Sequence, residues 1–324
     1  MALSVVPLRT EEFIKEFVVT IPPLSLTDRG FKANPARVVV ICIVRNDLDR
    51  MRIFLEHYRA LGIKQFAILD DQSSDGTREF LLAQTDVEVF VSEQRYGLPR
   101  QFVWYDLLLH HYGYNRWYLI VDSDELFVYD DCEYRNIYQL IQFLEDRKLT
   151  AVQALMCDMY PCGKVFSETN NGLYANRIYF DKAGYVLSFI PDNCRILNII
   201  GGLQARIFNG NPWLSKQPLF FATNISTIVN NHFMLPLSKK IFWGSSALLH
   251  YKFLPGDILR YAERVKEKNM WNFSYNERVY CDHLAKNISF YQDGISAKYE
   301  NSRSLIEHGL MRRIWDSALA ETAT

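Results

Sequence analysis

Residues 117–127 have the sequence Trp-Tyr-Leu-Ile-Val-Asp-Ser-Asp-Glu-Leu-Phe, in which five apolar residues end abruptly in three acids separated by one serine. A short apolar run rich in aromatic and branched side chains is typical of a buried strand in a mostly parallel sheet. Open α/β sheets bind their ligands at the carboxyl ends of the strands. The stretch therefore predicts that Asp122, Asp124 and Glu125 lie on a turn facing a binding crevice.

The three acids of this turn also indicate a metal ion. Carboxylates placed this close together repel one another and lose hydration unless a cation compensates. Oxygen ligands suit Mg²⁺ or Mn²⁺, which typically take one or two carboxylates together with substrate phosphates. The alternative interpretation is a solvated acidic turn that only closes a strand.

Strand and helix patterns alternate around this stretch. Apolar strands are predicted at 37–44, 65–69 and 87–91, and apolar residues at helical spacing lie between them. This order predicts an α/β fold with a Rossmann-like, mostly parallel sheet flanked by helices. We expect four segments: a leader (1–36), a nucleotide-binding half (37–150), a second half rich in loops that shapes a binding site (151–302) and a helical tail (303–324).

The composition of the 324-residue chain limits its function. With 49% apolar residues a sizeable core is expected, and a net charge of −1 argues against a nucleic-acid partner. Six cysteines without zinc-site spacing favour reduced thiols in the cytoplasm. Neither a signal peptide nor an apolar window of about 18 residues is present, so we expect a soluble protein. The tail, which carries Arg312 and Arg313, either packs on the domain or makes peripheral contact with the inner face of a membrane.

Two motifs together resemble those of a known family. Residues 69–77, Leu-Asp-Asp-Gln-Ser-Ser-Asp-Gly-Thr, resemble the Asp-Asp-Gly-Ser-Thr-Asp-Gly-Thr turn of family 2-type glycosyltransferases. Residues 122–125 resemble the Asp-x-Asp motif that these enzymes carry about fifty residues further on. The version of this motif in which Leu126 and Phe127 follow the acids is similar to that of the bacterial family 2-like branch. Members of that branch are tied to surface polysaccharide synthesis. The resemblance covers residues 37–160 and departs from the family at Gln72, where a glycine is usual.

The resemblance implies the GT-A fold, with an acceptor region built from residues 151–302, and a UDP-sugar as the donor. Asp70 would accept a hydrogen bond from the uracil N–H, with Asp71 assisting. Asp122 and Asp124 would hold Mn²⁺ or Mg²⁺ against the two phosphates. The acceptor would be a glycan or a lipid-linked sugar.

Further residues complete this hypothesis. His250 ends an apolar strand and would be an extra metal ligand, and Lys252 would reach the diphosphate. The alternative for His250 is a histidine that only packs in the core. His232 is a competing candidate for the metal ligand. Arg95 and Arg100 are further diphosphate candidates or ordinary salt-bridge partners.

An inverting enzyme needs a base to take the acceptor proton. Asp192 is the preferred candidate for that base, ahead of Asp158 and Glu168. Arg206 and Trp213 are the candidates for binding the acceptor.

Three other functions compete with a glycosyltransferase. A non-catalytic nucleotide- or sugar-binding protein would use the same scaffold. A nucleotidyltransferase shares the sheet, metal and nucleotide but usually carries a Gly-rich basic loop after its first strand, and residues 45–49 lack one. A phosphatase of the haloacid dehalogenase type also uses Asp-x-Asp, with the first aspartate as nucleophile, but places it after the first strand.

Overall fold

The computed structural model describes residues 20–166, 172–189, 197–210, 212–230, 232–235, 240–268 and 271–315. Its first half contains these elements in chain order: β1 (Leu24–Ser25), β2 (Val39–Val44), α1 (Leu48–Ala60), β3 (Phe66–Asp70), α2 (Thr77–Leu82), β4 (Val87–Val91), α3 (Leu98–Tyr112), β5 (Arg116–Ile120), β6 (Glu125–Tyr129) and α4 (Ile137–Asp146). The second half contains β7 (Ala151–Asp158), β8 (Tyr179–Asp181), β9 (Tyr185–Phe189), β10 (Leu197–Gly201), α5 (Gly202–Phe208), β11 (Ser215–Lys216), β12 (Leu219–Ala222), β13 (Thr227–Asn230), β14 (Phe233–Leu235), β15 (Ile241–His250), α6 (Asp257–Glu267), α7 (Trp271–Leu284), β16 (Ser296–Lys298) and α8 (Ser302–Glu307).

One large sheet organises the described residues. Its strand order is β1-β4-β3-β2-β5-β12-β7-β15-β6, and β11 pairs with β7 at the side. The run β4-β3-β2-β5 is parallel, as is the pair β7–β15. The strands β1, β6, β11 and β12 add antiparallel pairs. The predicted α/β, Rossmann-like architecture is confirmed.

The order of the first strands locates the crevice. The chain builds β2, β3 and β4 outward in one direction and then places β5 on the other side of β2. A reversal of this kind leaves a crevice at the carboxyl ends of the two strands where the direction changes. Here those ends lead into residues 45–47 after β2 and into the acidic turn, residues 121–124, after β5.

Helices cover both faces of the sheet because successive side chains of a strand point to opposite sides. Val40 and Cys42 of β2 pack on the side of α1, whose buried face includes Phe54. Ile41 packs with Trp104 of α3 on the other side. Helix α4 begins with a capping box between Asn136 and Gln139, and the Asn136 side chain also accepts the backbone N–H of Tyr138. The helix packs on the same side of the sheet as α1.

The second half places two helices beside the crevice. Helices α6 and α7 pack together on an aromatic cluster separate from the sheet core, formed by Tyr160, Leu203, Phe208, Phe253, Tyr261, Tyr280 and Phe290 among others. The C-terminal segment contains the short helix α8, which ends before Gly309, and Leu305 and Ile314 pack into the sheet core. Up to residue 315 the tail therefore packs on the domain. In the part of the chain that is described, no helix has the length and apolar character needed to cross a membrane.

Candidate active site

The acidic turn between β5 and β6 is shaped by one of its own acids. The backbone N–H of Asp122 donates to Glu125 Oε2 at 2.8 Å, and the N–H of Glu125 returns a bond to the carbonyl of Asp122 at 3.1 Å. Glu125 is fully buried. Its carboxylate therefore serves the turn itself, while Asp122 and Asp124, which are partly exposed, are the acids that face the crevice.

Lys216 of β11 supplies a cation beneath this turn. Its Nζ lies 2.6 Å from Glu125 Oε2 and 3.4 Å from Asp122 Oδ2. Burial disfavours the ammonium, but the carboxylates of Asp122 and Glu125 outweigh burial and raise the pKa of Lys216. Lys216 was not among the residues predicted from the sequence, because it stands in a two-residue strand with no periodic pattern around it.

Asp124 faces His250 at the end of β15. His250 Nε2 lies 3.6 Å from Asp124 Oδ2, and Nδ1 lies 2.7 Å from Asp158 Oδ1. A carboxylate only accepts hydrogen bonds, so Nδ1 carries the proton that it shares with Asp158. In the neutral ring, Nε2 then presents a lone pair toward a carboxylate oxygen. Two such acceptors repel each other unless a proton or a metal ion lies between them.

The surroundings of Asp124 favour its charged form. Burial acts against the carboxylate, but His250 and, after it, Arg50, Lys252 and Arg264 lower the pKa of Asp124 well below its usual range. For His250, burial lowers the pKa, and Asp124 and Asp158 reverse this and raise it. Both shifts favour an ionised Asp124 carboxylate with positive charge next to it, which either a protonated His250 or a metal ion can supply.

A buried ion cluster behind the turn fixes its position. Ser123 Oγ donates to Asp47 Oδ2 at 2.6 Å. Arg50 of α1 pairs with Asp47 at 3.2 Å and with Asp257 of α6 at 2.6 Å, and it donates to the carbonyl of Tyr251. The cluster thus joins the acidic turn to α1 and α6. Sequence reasoning identified none of these roles.

The turn after β3 holds the two acids predicted to bind the base. Asp70 is fully buried and pairs with Arg78 at 2.5 Å, and it also accepts the N–H of Ser73. Gln72, which replaces the family's glycine, has a left-handed backbone with φ 57°. Its amide donates to the carbonyl of Glu93 at 3.0 Å, which holds the turn in this conformation.

Asp71, next to it, has a different environment. It accepts the backbone N–H of Tyr96 at 3.1 Å and lies 3.7 Å from Arg95. Burial raises the pKa of Asp71 to about 7, although the Tyr96 N–H and Arg45 act in the opposite direction.

The other predicted residues are distributed around this centre. Arg95 also approaches Glu267 of α6 at 3.5 Å, and Arg100 in the first turn of α3 donates to the carbonyl of Arg95. Lys252 follows His250 by two residues. His232 bonds through Nδ1 to the carbonyl of Ser215. The structure therefore brings His250 to Asp124 and bonds His232 to β11, and the role of His250 as a metal ligand stays a prediction.

The predicted acceptor residues lie elsewhere. Arg206 forms a two-pronged pair with Asp181 at 2.7 and 2.9 Å and donates to the carbonyl of Phe290. Trp213 stacks on Phe233 with ring centroids 5.7 Å apart. Their roles at an acceptor stay predictions. Asp192, the predicted base, and Glu168 lie outside the described residues.

No three or more His, Cys, Asp or Glu side chains converge into a metal cluster within the described ranges. Asp124 and His250 nevertheless suit a divalent cation that a substrate helps to bind. Mg²⁺ commonly takes only one or two carboxylates from the protein and completes its shell with phosphates and water. The hydrogen bond from His250 to Asp158 is also the kind of outer contact that orients a metal-binding histidine.

Comparisons with known proteins give structural likeness only. No protein-family model and no curated protein matches the chain. The crystal structure of S. aureus TarS 1-349 is similar with 16% identity and a TM-score of 0.29, over 43% of this chain and 43% of that one. The chain thus spans less than half the length of that structure.

Apo-UDP-glucose pyrophosphorylase has 8% identity and a TM-score of 0.29 over 85% of this chain and 96% of that one. The pyrophosphorylase complexed with UDP-glucose gives a TM-score of 0.28 at the same identity and coverage. Likeness at this level carries no argument about activity, which is therefore argued from the site.

Proposed function

We propose that the protein is a divalent-metal-dependent glycosyltransferase that moves a sugar from a nucleoside diphosphate sugar, of the UDP type, to a glycan or lipid-linked acceptor. Surface polysaccharide synthesis at the cytoplasmic side of a membrane is the process we propose for it. The observation that carries the proposal is the approach of His250 Nε2 to Asp124 Oδ2 at the crevice where the strand order reverses.

The residues present fit Mn²⁺ or Mg²⁺. Asp124 and His250 would hold the ion, and Asp122, two residues before Asp124 on the same turn, would hold the ion or the donor beside it. The bound ion supplies Lewis-acid stabilisation of the negative charge that builds on the departing phosphate. Asp158 keeps the Nδ1 proton of His250 in place and so leaves Nε2 available toward the crevice.

The remaining residues bind and orient the donor. In this proposal Asp70 and Asp71 bind the base. They also help to hold the turn that surrounds the base in place. Arg95 and Lys252 contribute positive charge on the phosphate side. Ser123 and Asp47 hold the acidic turn in register, so that the carboxylates of Asp122 and Asp124 keep their places when the donor enters.

The test is release of free UDP from a panel of UDP-sugars, with Mn²⁺ and with a chelator. Slow hydrolysis that requires the metal and is lost in Asp124→Asn supports the proposal. Asp146→Asn, which changes an exposed aspartate at the end of α4, is the matched control and should hydrolyse normally.

Other results would identify the competing functions. Tight UDP-sugar binding without turnover, also when candidate acceptors are added, would identify a binding protein. Formation of pyrophosphate from UTP and a sugar 1-phosphate would identify a nucleotidyltransferase. Hydrolysis that is unchanged in Asp124→Asn would contradict the metal assignment.

A further inference from the structure

A buried carboxylate on α7 has no bonding partner in the part of the chain that the structure describes. Glu277 is 6% exposed, and among the described residues neither a hydrogen-bond donor nor a cation within 4.0 Å engages its side chain. Glu125 Oε1 is sealed from solvent without a partner, whereas both carboxylate oxygens of Glu277 keep contact with solvent. Buried charged groups are normally paired, so this carboxylate indicates a place where a ligand supplies the hydrogen-bond donors.

The contacts of α7 place Glu277 beside the crevice. Ser274, Glu277 and Tyr280 follow one another at three-residue spacing and so lie on one face of the helix. At one end of this face, Ser274 Oγ donates to a backbone carbonyl in the last turn of α6 at 2.8 Å. At the other end, the hydroxyl of Tyr280 donates to Gln204 at 3.0 Å, and Gln204 donates in turn to the aspartate that holds His250. Glu277 therefore lies between α6 and the residues that position the histidine of the candidate metal site.

Two cations near Glu277 rest on aromatic rings. Lys252 Nζ lies 5.0 Å from the ring centroid of Tyr280. The guanidinium carbon of Arg264 lies 5.9 Å from the ring centroid of Tyr261. Burial lowers the pKa of the Arg264 guanidinium, but its neighbours, Glu277 among them, outweigh burial and raise it. Since Arg264 and Glu277 form no ion pair, the carboxylate acts on this cation across a gap of more than 4.0 Å.

The mixture of charges decides which chemical group fits between them. Glu277 repels an anion, and Lys252 and Arg264 repel a metal ion or an amine. A neutral hydroxyl group has no such penalty, because it donates to a carboxylate and accepts from a guanidinium at the same time. Two hydrogen bonds of about 2.7–3.0 Å that meet at one hydroxyl oxygen span a gap of this size. With the ring of Tyr280 as apolar surface beside it, the site suits a molecule with several hydroxyl groups, such as a sugar.

We propose that Glu277 binds hydroxyl groups of the transferred sugar and thereby selects neutral sugars over sugars that carry a carboxylate. The inference rests on the proposed function, which places a nucleotide-sugar in this crevice, and it adds the residue that recognises the sugar itself. An ionised carboxylate only accepts hydrogen bonds, and its two oxygens accept from two neighbouring hydroxyl groups. Arg264, across the gap, donates to the same hydroxyl groups through its fixed set of N–H donors.

The experiment measures binding by calorimetry in the presence of Mn²⁺. The probes are UDP, UDP-glucuronic acid and three neutral UDP-sugars, namely UDP-glucose, UDP-galactose and UDP-N-acetylglucosamine. We expect Glu277→Gln to weaken the best-bound neutral UDP-sugar at least tenfold and to leave UDP unchanged, because hydrogen bonds to a charged acceptor are about twice as strong as neutral ones. The preference for this neutral sugar over UDP-glucuronic acid should fall at least tenfold in the same variant.

Two further variants serve as controls. Asp282→Asn changes an exposed aspartate on the same helix and should bind every probe like the wild type. Glu277→Asp keeps the charge on a shorter side chain and should lose less affinity for the neutral sugar than Glu277→Gln does. Equal thermal unfolding of the three variants and the wild type would exclude a loss caused by misfolding.

The outcomes separate this inference from the proposed function. If the wild-type protein binds and hydrolyses a UDP-sugar while Glu277→Gln binds it normally, the assignment of Glu277 alone is wrong. Equal weakening of UDP and the UDP-sugar would also overturn it, because Glu277 would then act on the nucleotide or on the whole pocket. If Glu277→Gln selectively weakens a UDP-sugar that is neither hydrolysed nor transferred, the hydroxyl site stands and the transferase activity does not. A wild-type protein that binds UDP and none of the neutral UDP-sugars would contradict both.

Discussion

Lys216 Nζ lies 2.6 Å from Glu125 Oε2, and the two side chains are 1% and 0% exposed. The pair joins the acidic turn to β11, which is bonded to β7. Removing charges from water costs several kcal/mol per ion, and a buried pair recovers this only with good geometry and further hydrogen bonds. Glu125 has such a bond from the Asp122 N–H. We therefore assign the pair to the shape of the turn.

Lys216→Met should destabilise the protein by about 3–5 kcal/mol, because it leaves the Glu125 carboxylate buried without its cation. The double variant Lys216→Met/Glu125→Gln removes both charges and should recover more than half of the loss. Urea unfolding at neutral pH measures both values. The control is Lys298→Met, which breaks the exposed pair with Glu300 and should cost less than about 1 kcal/mol. Equal losses for the single and the double variant would show that the ion pair does not hold the turn.

Asp158→Asn should weaken Mn²⁺ binding about 10- to 100-fold, as is typical when the outer partner of a metal-binding histidine is changed. The asparagine still occupies the space, but it offers only one acceptor where Asp158 now accepts from His250 and from Gln204. Mn²⁺ titration followed by electron paramagnetic resonance, with saturating UDP, measures the change.

The same titration on Asp146→Asn gives the control for a surface aspartate. UDP binding in the absence of metal should be equal in both variants, because Asp158 lies behind His250. An Asp158→Asn protein with wild-type Mn²⁺ affinity would argue that His250 is not a ligand.

Much of the fold was predictable because its signals are local. The predicted strand at 87–91 coincides with β4, and the other strands predicted in the first half agree with β2, β3 and β5 to within two residues. Apolar runs bounded by polar turns specify such strands whatever the rest of the chain does. The strand β6 was not predicted. Its apolar residues follow the acids so closely that they read as part of the same stretch as β5, and not as a second strand.

The parts of the site that depend on distant residues were not predictable. Lys216 reaches Glu125 across 91 positions and Arg50 reaches Asp257 across 207. No spacing rule connects residues so far apart. The sequence also presents three equivalent acids at 122–125, and it takes the burial of Glu125, its bond from the Asp122 N–H and its pair with Lys216 to show that Glu125 has a structural role. Asp124 and His250 were paired in the prediction because the family resemblance supplied the connection.

Asp71→Asn should stabilise the protein at pH 8 and have little effect at pH 4. Burial raises the pKa of Asp71 to about 7 in the folded protein, against about 3.9 in an unfolded chain. The folded state therefore binds more protons between these values, and its stability falls as the pH rises through this window. We expect a gain of up to about 4 kcal/mol at pH 8, measured by urea unfolding across the pH range. A gain that is equal at both pH values would mean that the carboxyl is not the cause.

Arg78→Gln and Asp70→Asn together decide whether Asp70 contacts the base. Asp70 has no exposed surface, and its carboxylate is already engaged by Arg78 and by the Ser73 N–H. Arg78→Gln should cost about 1–2 kcal/mol of stability, less than a fully buried pair would, because Arg78 is partly exposed to water. If Asp70 also accepts the uracil N–H, Asp70→Asn should weaken uridine binding at least tenfold more than Arg78→Gln does, since the amide presents a donor where the carboxylate accepts. Calorimetry with uridine measures this ratio. Equal weakening by the two variants would mean that Asp70 acts only by shaping the turn, and Asp71 would then be the acid to test at the base.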